Sequence, residues 1–236
     1  MKLETGNWKP GRMPRVVANT LEDLWPRLRE GYPRLVGPVV EVLAKLGVTP
    51  NMVSITGVMI SLGAGLLLAS GWFFAGAIVT VIGATCDILD GQLARGKSQA
   101  TAFGAFLDST LDRVGELFTF MGLAWYFSGG HPPLGTGPAG SPSPWAVAFI
   151  LLAVAGSFMV SYTRARAEGL GVECKTGVMQ RPERVVLLIA GTVLAPVPVI
   201  GLFVLKTVLL ALALTSGATA IQRILHVRRE LAGQGR

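Results

Sequence analysis

Three long stretches of this 236-residue chain are almost free of charge, and they limit what it can fold into more than any other feature. From Leu46 to Cys86 and from Leu117 to Thr163 there is no Asp, Glu, Lys or Arg, and from Val185 to Gln222 there is one, Lys206. A helix needs about 20 apolar residues to cross the hydrocarbon core of a bilayer, so each stretch is long enough for two crossings. Each is also broken near its middle, at Ser70-Gly71, in the Gly/Pro/Ser-rich run 128–144, and at Pro196 and Pro198. The pattern predicts three helical hairpins: an all-α, polytopic membrane protein with six transmembrane helices, at about 51–70, 73–97, 101–127, 144–168, 183–203 and 205–227. Overall only 15% of residues are charged, well below the roughly 25% of soluble domains.

The basic residues orient these spans. Eight Lys or Arg precede residue 50, Arg95 and Lys97 follow the second span, five lie between the fourth and fifth, and Arg223, Arg228, Arg229 and Arg236 close the chain, while the alternate loops hold none. By the positive-inside rule both termini and the basic loops are expected on the cytoplasmic side of the cell membrane, as an even number of spans requires. The net charge of +7 is scattered along predicted membrane edges, where anionic lipid headgroups are the usual partner, so no nucleic acid is expected. Cys86 in a span and Cys174 in a loop predict no disulfide, and the wide separation of His131 and His226 predicts no zinc site.

Residues 1–33 read as an N-terminal arm near the cytoplasmic membrane surface, too charged for a signal sequence. Residues 34–230 form the membrane domain and 231–236 a cytoplasmic tail. Within 34–46, Leu35, Val39, Val42, Leu43 and Leu46 recur at helical spacing, which predicts an interfacial amphipathic helix ended by Gly47. Thr49-Pro50 then supplies an N-cap and a first-turn proline for the first span.

The chemistry is concentrated between Asp87 and Asp112. On one helix Asp87, Asp90, Gly91 and Ala94 share a face, and on the next Gly104, Asp108 and Asp112 stand in an i+4 row. With the intervening turn near Gly96–Gln99, two carboxylates from each antiparallel helix can meet at one depth. Buried acids need neutralisation by a partner or a metal. Hard oxygen ligands without His or Cys point to Mg²⁺ or Mn²⁺, and four carboxylates suit a pair of ions of the kind that supports phosphoryl displacement. The small residues leave backbone open for a nucleotide diphosphate.

This segment resembles the signature of the CDP-alcohol phosphotransferases (CDP-alcohol phosphatidyltransferases): Asp87, Asp90-Gly91, Ala94-Arg95, Gly104, Asp108 and Asp112 match all eight fixed identities and every spacing. The resemblance, covering about residues 35–230, implies a six-span homodimer with two metal ions per active site. It implies that an acceptor hydroxyl attacks the β-phosphorus of a CDP-linked lipid and CMP leaves. Asp87, Asp90 and Asp108 would be metal ligands, Asp112 both ligand and general base, and Gly91, Ala94, Arg95 and Gly104 the nucleotide-side surface.

The acceptor is read from the basic segment 161–184, whose Ser161, Arg164, Arg166, Lys175, Arg181 and Arg184 suit a phosphorylated alcohol better than a zwitterion. Its Ser-Tyr-Thr-Arg-Ala-Arg-Ala-Glu run and the later Arg-Pro-Glu-Arg resemble the inositol-phosphate-accepting branch of the family. That branch implies an acceptor-phosphate pocket at Ser161, Arg164, Arg184 and Arg223, with Arg164 standing where lysine is usual. Phosphatidylglycerol phosphate synthesis is the rival enzymatic reading. A cation-coupled transporter is a distant third, since neither inverted repeats nor broken midplane helices are evident.

Overall fold

A computed structural model describes residues 31–33, 35–96, 101–174, 176–177 and 179–234. The predicted N-terminal arm as far as residue 30, the turn expected after Gly96, Lys175 and the last two residues lie outside the described residues. Two compact units divide between Val48 and Thr49. In the first, residues 35–45 form helix α1, on which Leu35, Val39, Val42 and the following Leu46 are exposed. Gly47 follows with φ +75°, a left-handed conformation that suits glycine at a helix C-terminus.

The second unit comprises six helices: α2 (Pro50–Ala69), α3 (Phe73–Gly96), α4 (Ala102–Phe127), α5 (Pro144–Glu168), α6 (Arg181–Leu194) and α7 (Gly201–Gln234). No strand occurs among the described residues. Thr49 caps α2, accepting a hydrogen bond from Met52 N at 3.4 Å, and Pro50 opens its first turn. Thr101 caps α4 in the same way through Gly104 N at 2.9 Å. Four helices, α2, α3, α5 and α7, are long and apolar enough to cross a membrane. By contrast α4 carries Asp108, Asp112, Arg113 and Glu116 in its first half, and α6 has only 14 residues.

Helix α6 corrects the extent of the predicted fifth span, 183–203. Pro196 and Pro198 lack the amide hydrogens that a helix interior requires, so α6 ends at Leu194 and a turn containing Val199 at φ +68° leads into α7 at Gly201. At its other end α7 runs on to Gln234, through most of the expected tail.

Small residues decide which helices touch. α2 packs against both α3 and α4, which make little direct contact with each other. Gly57 of α2 lies against Cys86 and Gly83 of α3, Ser61 lies against Gly83 and Gly115, and Gly65 lies against the α4 backbone at Phe118 and Gly122. α5 packs on α7, where Gly156 meets Ser216 and Gly217, and α6 joins α7 to α3. Lipid tails offer no hydrophobic drive between spanning helices, so this close backbone approach supplies van der Waals contact instead.

A Cβ at Gly122 would fall on the backbone of Gly65, which has no flexible end to move. Gly122→Ala is therefore expected to destabilise the helix pair by roughly 1–3 kcal/mol, seen as a lower thermal midpoint in detergent. An unchanged midpoint would show that α2 and α4 separate without cost.

Away from the acids, Leu68, Phe73, Phe120, Leu123, Tyr126, Phe127 and Ile150 form a continuous apolar core. The connection 128–143 is fastened to that end by Trp125 Nε1 donating to His131 O at 2.8 Å and Trp72 Nε1 donating to Thr136 O at 3.2 Å. The acids thus sit at the end of the helices remote from this packed core.

Candidate functional site

Three of the four signature acids, Asp87, Asp90 and Asp112, are engaged by side-chain partners. Asp90 is 4% exposed, and its Oδ2 accepts a hydrogen bond from Ser54 Oγ of α2 at 2.6 Å. Asp87 on α3 and Asp112 on α4 are joined by Arg181, the first residue of α6. Its Nη2 lies 2.6 Å from Asp87 Oδ2 and 3.0 Å from Asp112 Oδ1. One guanidinium nitrogen therefore brings an acid from each helix to the same point. α3 and α4 meet through their side chains and α6 rather than by packing on each other, as their spacing in sequence had suggested.

Among the described residues no three His, Cys, Asp or Glu side chains are grouped so as to hold one ion together as they stand. The reason is visible in the partners, since Ser54 holds Asp90 and Arg181 occupies the point shared by Asp87 and Asp112. The donor set nonetheless fits a hard divalent cation. Every available ligand is a carboxylate oxygen, and two of them already converge on one positive charge in a partly buried setting.

Beside Asp112 opens a cavity of about 170 Å³ between α4, α5, α6 and α7. Its wall includes Ser161 and Arg164 of α5, Arg184 of α6 and Arg223 of α7, together with Asp112 and Glu116 of α4. All four residues expected to bind the acceptor phosphate thus line one space that Asp112 also borders. They differ in how they are held. Arg184 is 4% exposed and pairs with Glu116, while its Nη1 is buried with no hydrogen-bond partner among the described residues. Arg223, equally buried, donates from Nε to Thr176 O at 2.8 Å and from Nη1 to Val160 O at 2.5 Å. It therefore clamps the connection before α6 as well as lining the cavity. Arg164 pairs with Glu168 across one helical turn at 2.8 Å, with both side chains about half exposed, a contact that contributes little.

The nucleotide-side residues Gly91, Ala94, Arg95 and Gly104 lie outside this cavity. The Arg95 guanidinium lies over the bare face of Gly91, where a Cβ would come within 3.4 Å of Nη1. Gly104 sits in the first turn of α4 close to Thr101 and Asn51.

Glu116 and Ser54 had no place in the expected site, and Arg181, expected only among the cations that suit a phosphorylated acceptor, lies on the acids instead. Glu116 had a signal, because it extends the i+4 row Gly104–Asp108–Asp112 by one more step. Arg181 had a weaker one, as the first residue of the Arg-Pro-Glu-Arg run. Ser54 had none, since its role depends on how α2 packs against α3.

The sequence model described as CDP-alcohol phosphatidyltransferase matches residues 47–220. The chain is 33% identical over 210 residues to a phosphatidylinositol phosphate synthase of Mycolicibacterium smegmatis, covering 88% of this chain and 90% of that one. It is 32% identical over 219 residues to an archaetidylinositol phosphate synthase of Methanothermobacter thermautotrophicus, covering 93% of this chain and all of the other. Among solved structures, the phosphatidylinositol phosphate synthase of Mycobacterium tuberculosis with CDP-DAG bound superposes with a TM-score of 0.71 at 32% identity, over 82% of this chain and 94% of that one. The same enzyme in complex with manganese and citrate gives 0.70, over 80% and 87%.

Proposed function

This chain belongs to the CDP-alcohol phosphatidyltransferase family, a multi-pass membrane enzyme of that type, and from that premise we propose that it transfers a phosphatidyl-type group from a CDP-linked lipid to a hydroxyl of inositol phosphate, with release of CMP. The observation that carries the choice of acceptor is the cavity in which Ser161, Arg164, Arg184 and Arg223 surround a space bordered by Asp112. A neutral alcohol would bring no charge to Arg184, which is 4% exposed and has one nitrogen without a partner among the described residues. A phosphate would, and a buried donor left unmade is costly while a charge-assisted bond to an oxyanion is strong. The relatives named phosphatidylinositol phosphate synthase and archaetidylinositol phosphate synthase, at 33% and 32% identity, support the same assignment.

Asp87, Asp90, Asp108 and Asp112 are the residues that would hold divalent metal, two Mg²⁺ or Mn²⁺ ions. When bound these supply charge stabilisation for the diphosphate of the donor and its leaving group. Gly91, Ala94, Arg95 and Gly104 face the nucleotide, with Arg95 turned off Gly91 to meet it. The arginines hold the acceptor by its phosphate with a hydroxyl directed at the donor's β-phosphorus. Asp112, at the border of cavity and acid cluster, takes the hydroxyl proton as the new P–O bond forms and the bond to CMP breaks, the electron pair leaving with CMP. Because product CMP is itself a phosphate anion, the acids need no separate proton donor for it.

In this reading α4 and α6 complete six spans, with the acid end and both termini at the cytoplasmic face. The exposed row Leu35, Val39, Val42 and Leu46 supports a helix lying in the interface. The protein works as a homodimer. A donor with an archaeal ether lipid would be handled by the same residues.

Arg184→Ala tests the acceptor assignment. The apparent KM for inositol phosphate should rise roughly 10- to 100-fold, the equivalent of one charge-assisted hydrogen bond, while the KM for CDP-diacylglycerol stays within twofold. Equal rises for both substrates would mean that Arg184 shapes the whole cavity, and would return the acceptor to glycerol phosphate or another alcohol.

A further inference from the structure

We infer that Glu116, with Ser157 behind it, is a positioning residue that fixes Arg184 as the phosphate-recognition point and ties that point to Asp112. This rests on reading the cavity as the acceptor site. Glu116 follows Asp112 by one helical turn on α4, about 6 Å along the axis. Its Oε1 accepts from Arg184 Nε at 3.0 Å and its Oε2 from Arg184 Nη2 at 3.3 Å. Oε2 also accepts from Ser157 Oγ of α5 at 2.6 Å. The Arg184 and Glu116 side chains are 4% and 8% exposed, so both are held by packing as well.

A guanidinium carries five N–H donors in a planar fork. Glu116 takes up one edge of that of Arg184, and Nη1 remains buried and unpartnered at a cavity shared with Ser161, Arg164 and Arg223. What the neighbouring Arg181 does shows what Glu116 prevents. Three residues earlier on α6, Arg181 has turned its charge onto Asp87 and Asp112. Arg184, held by its own carboxylate, stays clear of the acids and available to an anion. Since α4 carries both Asp112 and Glu116, the distance between the proton acceptor and the phosphate grip is set by one rigid helix.

The sign of the effect separates positioning from simple electrostatics. A carboxylate beside a phosphate site weakens anion binding through its field, so removing its charge would tighten binding if field were all that mattered. If Glu116 positions Arg184, the same change loosens binding. In purified full-length enzyme with saturating Mn²⁺, Glu116→Gln should raise the acceptor KM roughly 10-fold or more and lower kcat, with the KM for CDP-diacylglycerol within twofold. Ser157→Ala changes no charge, loosens Glu116 rather than removing a phosphate contact, and should raise the acceptor KM by a smaller factor of roughly 2- to 10-fold, with the same split. Inorganic phosphate, as a competitive inhibitor against the acceptor, should lose potency in both variants in the same proportion.

A lower or unchanged acceptor KM in Glu116→Gln, or equal rises for donor and acceptor, would overturn the inference. Should that variant not fold, an unchanged acceptor KM and phosphate potency in Ser157→Ala would overturn it instead. If the wild-type enzyme uses glycerol phosphate in place of inositol phosphate, the acceptor identity falls, yet the phosphate inhibition of the two variants still decides the role of Glu116.

Discussion

Asp87→Asn and Asp108→Asn should each lower turnover by roughly 10²- to 10³-fold or more, the range for removing one group that stabilises charge developing in a transition state. Asp87 shares the Arg181 guanidinium with Asp112, so its carboxylate already faces a positive charge. Asparagine keeps the shape and one oxygen but removes the charge that draws a divalent ion away from water. The two variants should also bind Mn²⁺ more weakly by calorimetry. Metal-stripped wild-type enzyme should be inactive in EDTA and recover on adding Mg²⁺ or Mn²⁺. Full turnover of the stripped enzyme would end the metal hypothesis, whatever the variants do.

The second large effect is expected at Asp112. Asp112→Asn should retain much of its affinity for the CDP-linked lipid, because Asp87, Asp90 and Asp108 remain. Turnover should nevertheless fall by roughly 10²-fold or more, the contribution of a positioned general base. Of the four signature aspartates, Asp112 is the one that borders the arginine-lined cavity, within reach of an acceptor hydroxyl, while Glu116 beside it is engaged by Arg184. Equilibrium binding of the donor and single-turnover release of CMP, measured on the same preparation, separate the two roles. Turnover like the wild type would remove the general-base assignment, and loss of donor binding would make Asp112 chiefly a ligand.

Local structure was legible where it depends on local chemistry. Thr49-Pro50 announces the start of α2 because a threonine hydroxyl accepts from one orphan amide of the first turn and a proline there has no amide to satisfy. Gly47 and Gly71 announce turns because both adopt positive φ, at +75° and +76°. The acid row was legible because helical spacing projects residues onto one face. Pro196 and Pro198 mark a break inside the predicted span 183–203, and α6 stops short of both prolines.

What sequence spacing could not supply is how one helix answers another. Arg181 lies 94 positions from Asp87, and nothing in either segment says that they meet. The insertion of α2 between α3 and α4 depends on Gly57, Ser61 and Gly65 finding their counterparts across helices. The fate of Arg223 was hidden for another reason. Two of its nitrogens are taken by the backbone carbonyls of Val160 and Thr176, and any residue presents a carbonyl. Glu116 is legible by the same spacing, since it continues the i+4 row one step past Asp112.

The central claim is that a CDP-linked lipid donates to a phosphorylated inositol at this site, and one assay tests it most directly. Purified enzyme with CDP-diacylglycerol and Mn²⁺ is offered inositol phosphate, free inositol, glycerol phosphate or serine, and released CMP is measured. The expected result is CMP release with inositol phosphate, little with free inositol or serine, and none without an acceptor. Preferential turnover of glycerol phosphate or of an unphosphorylated alcohol would contradict it.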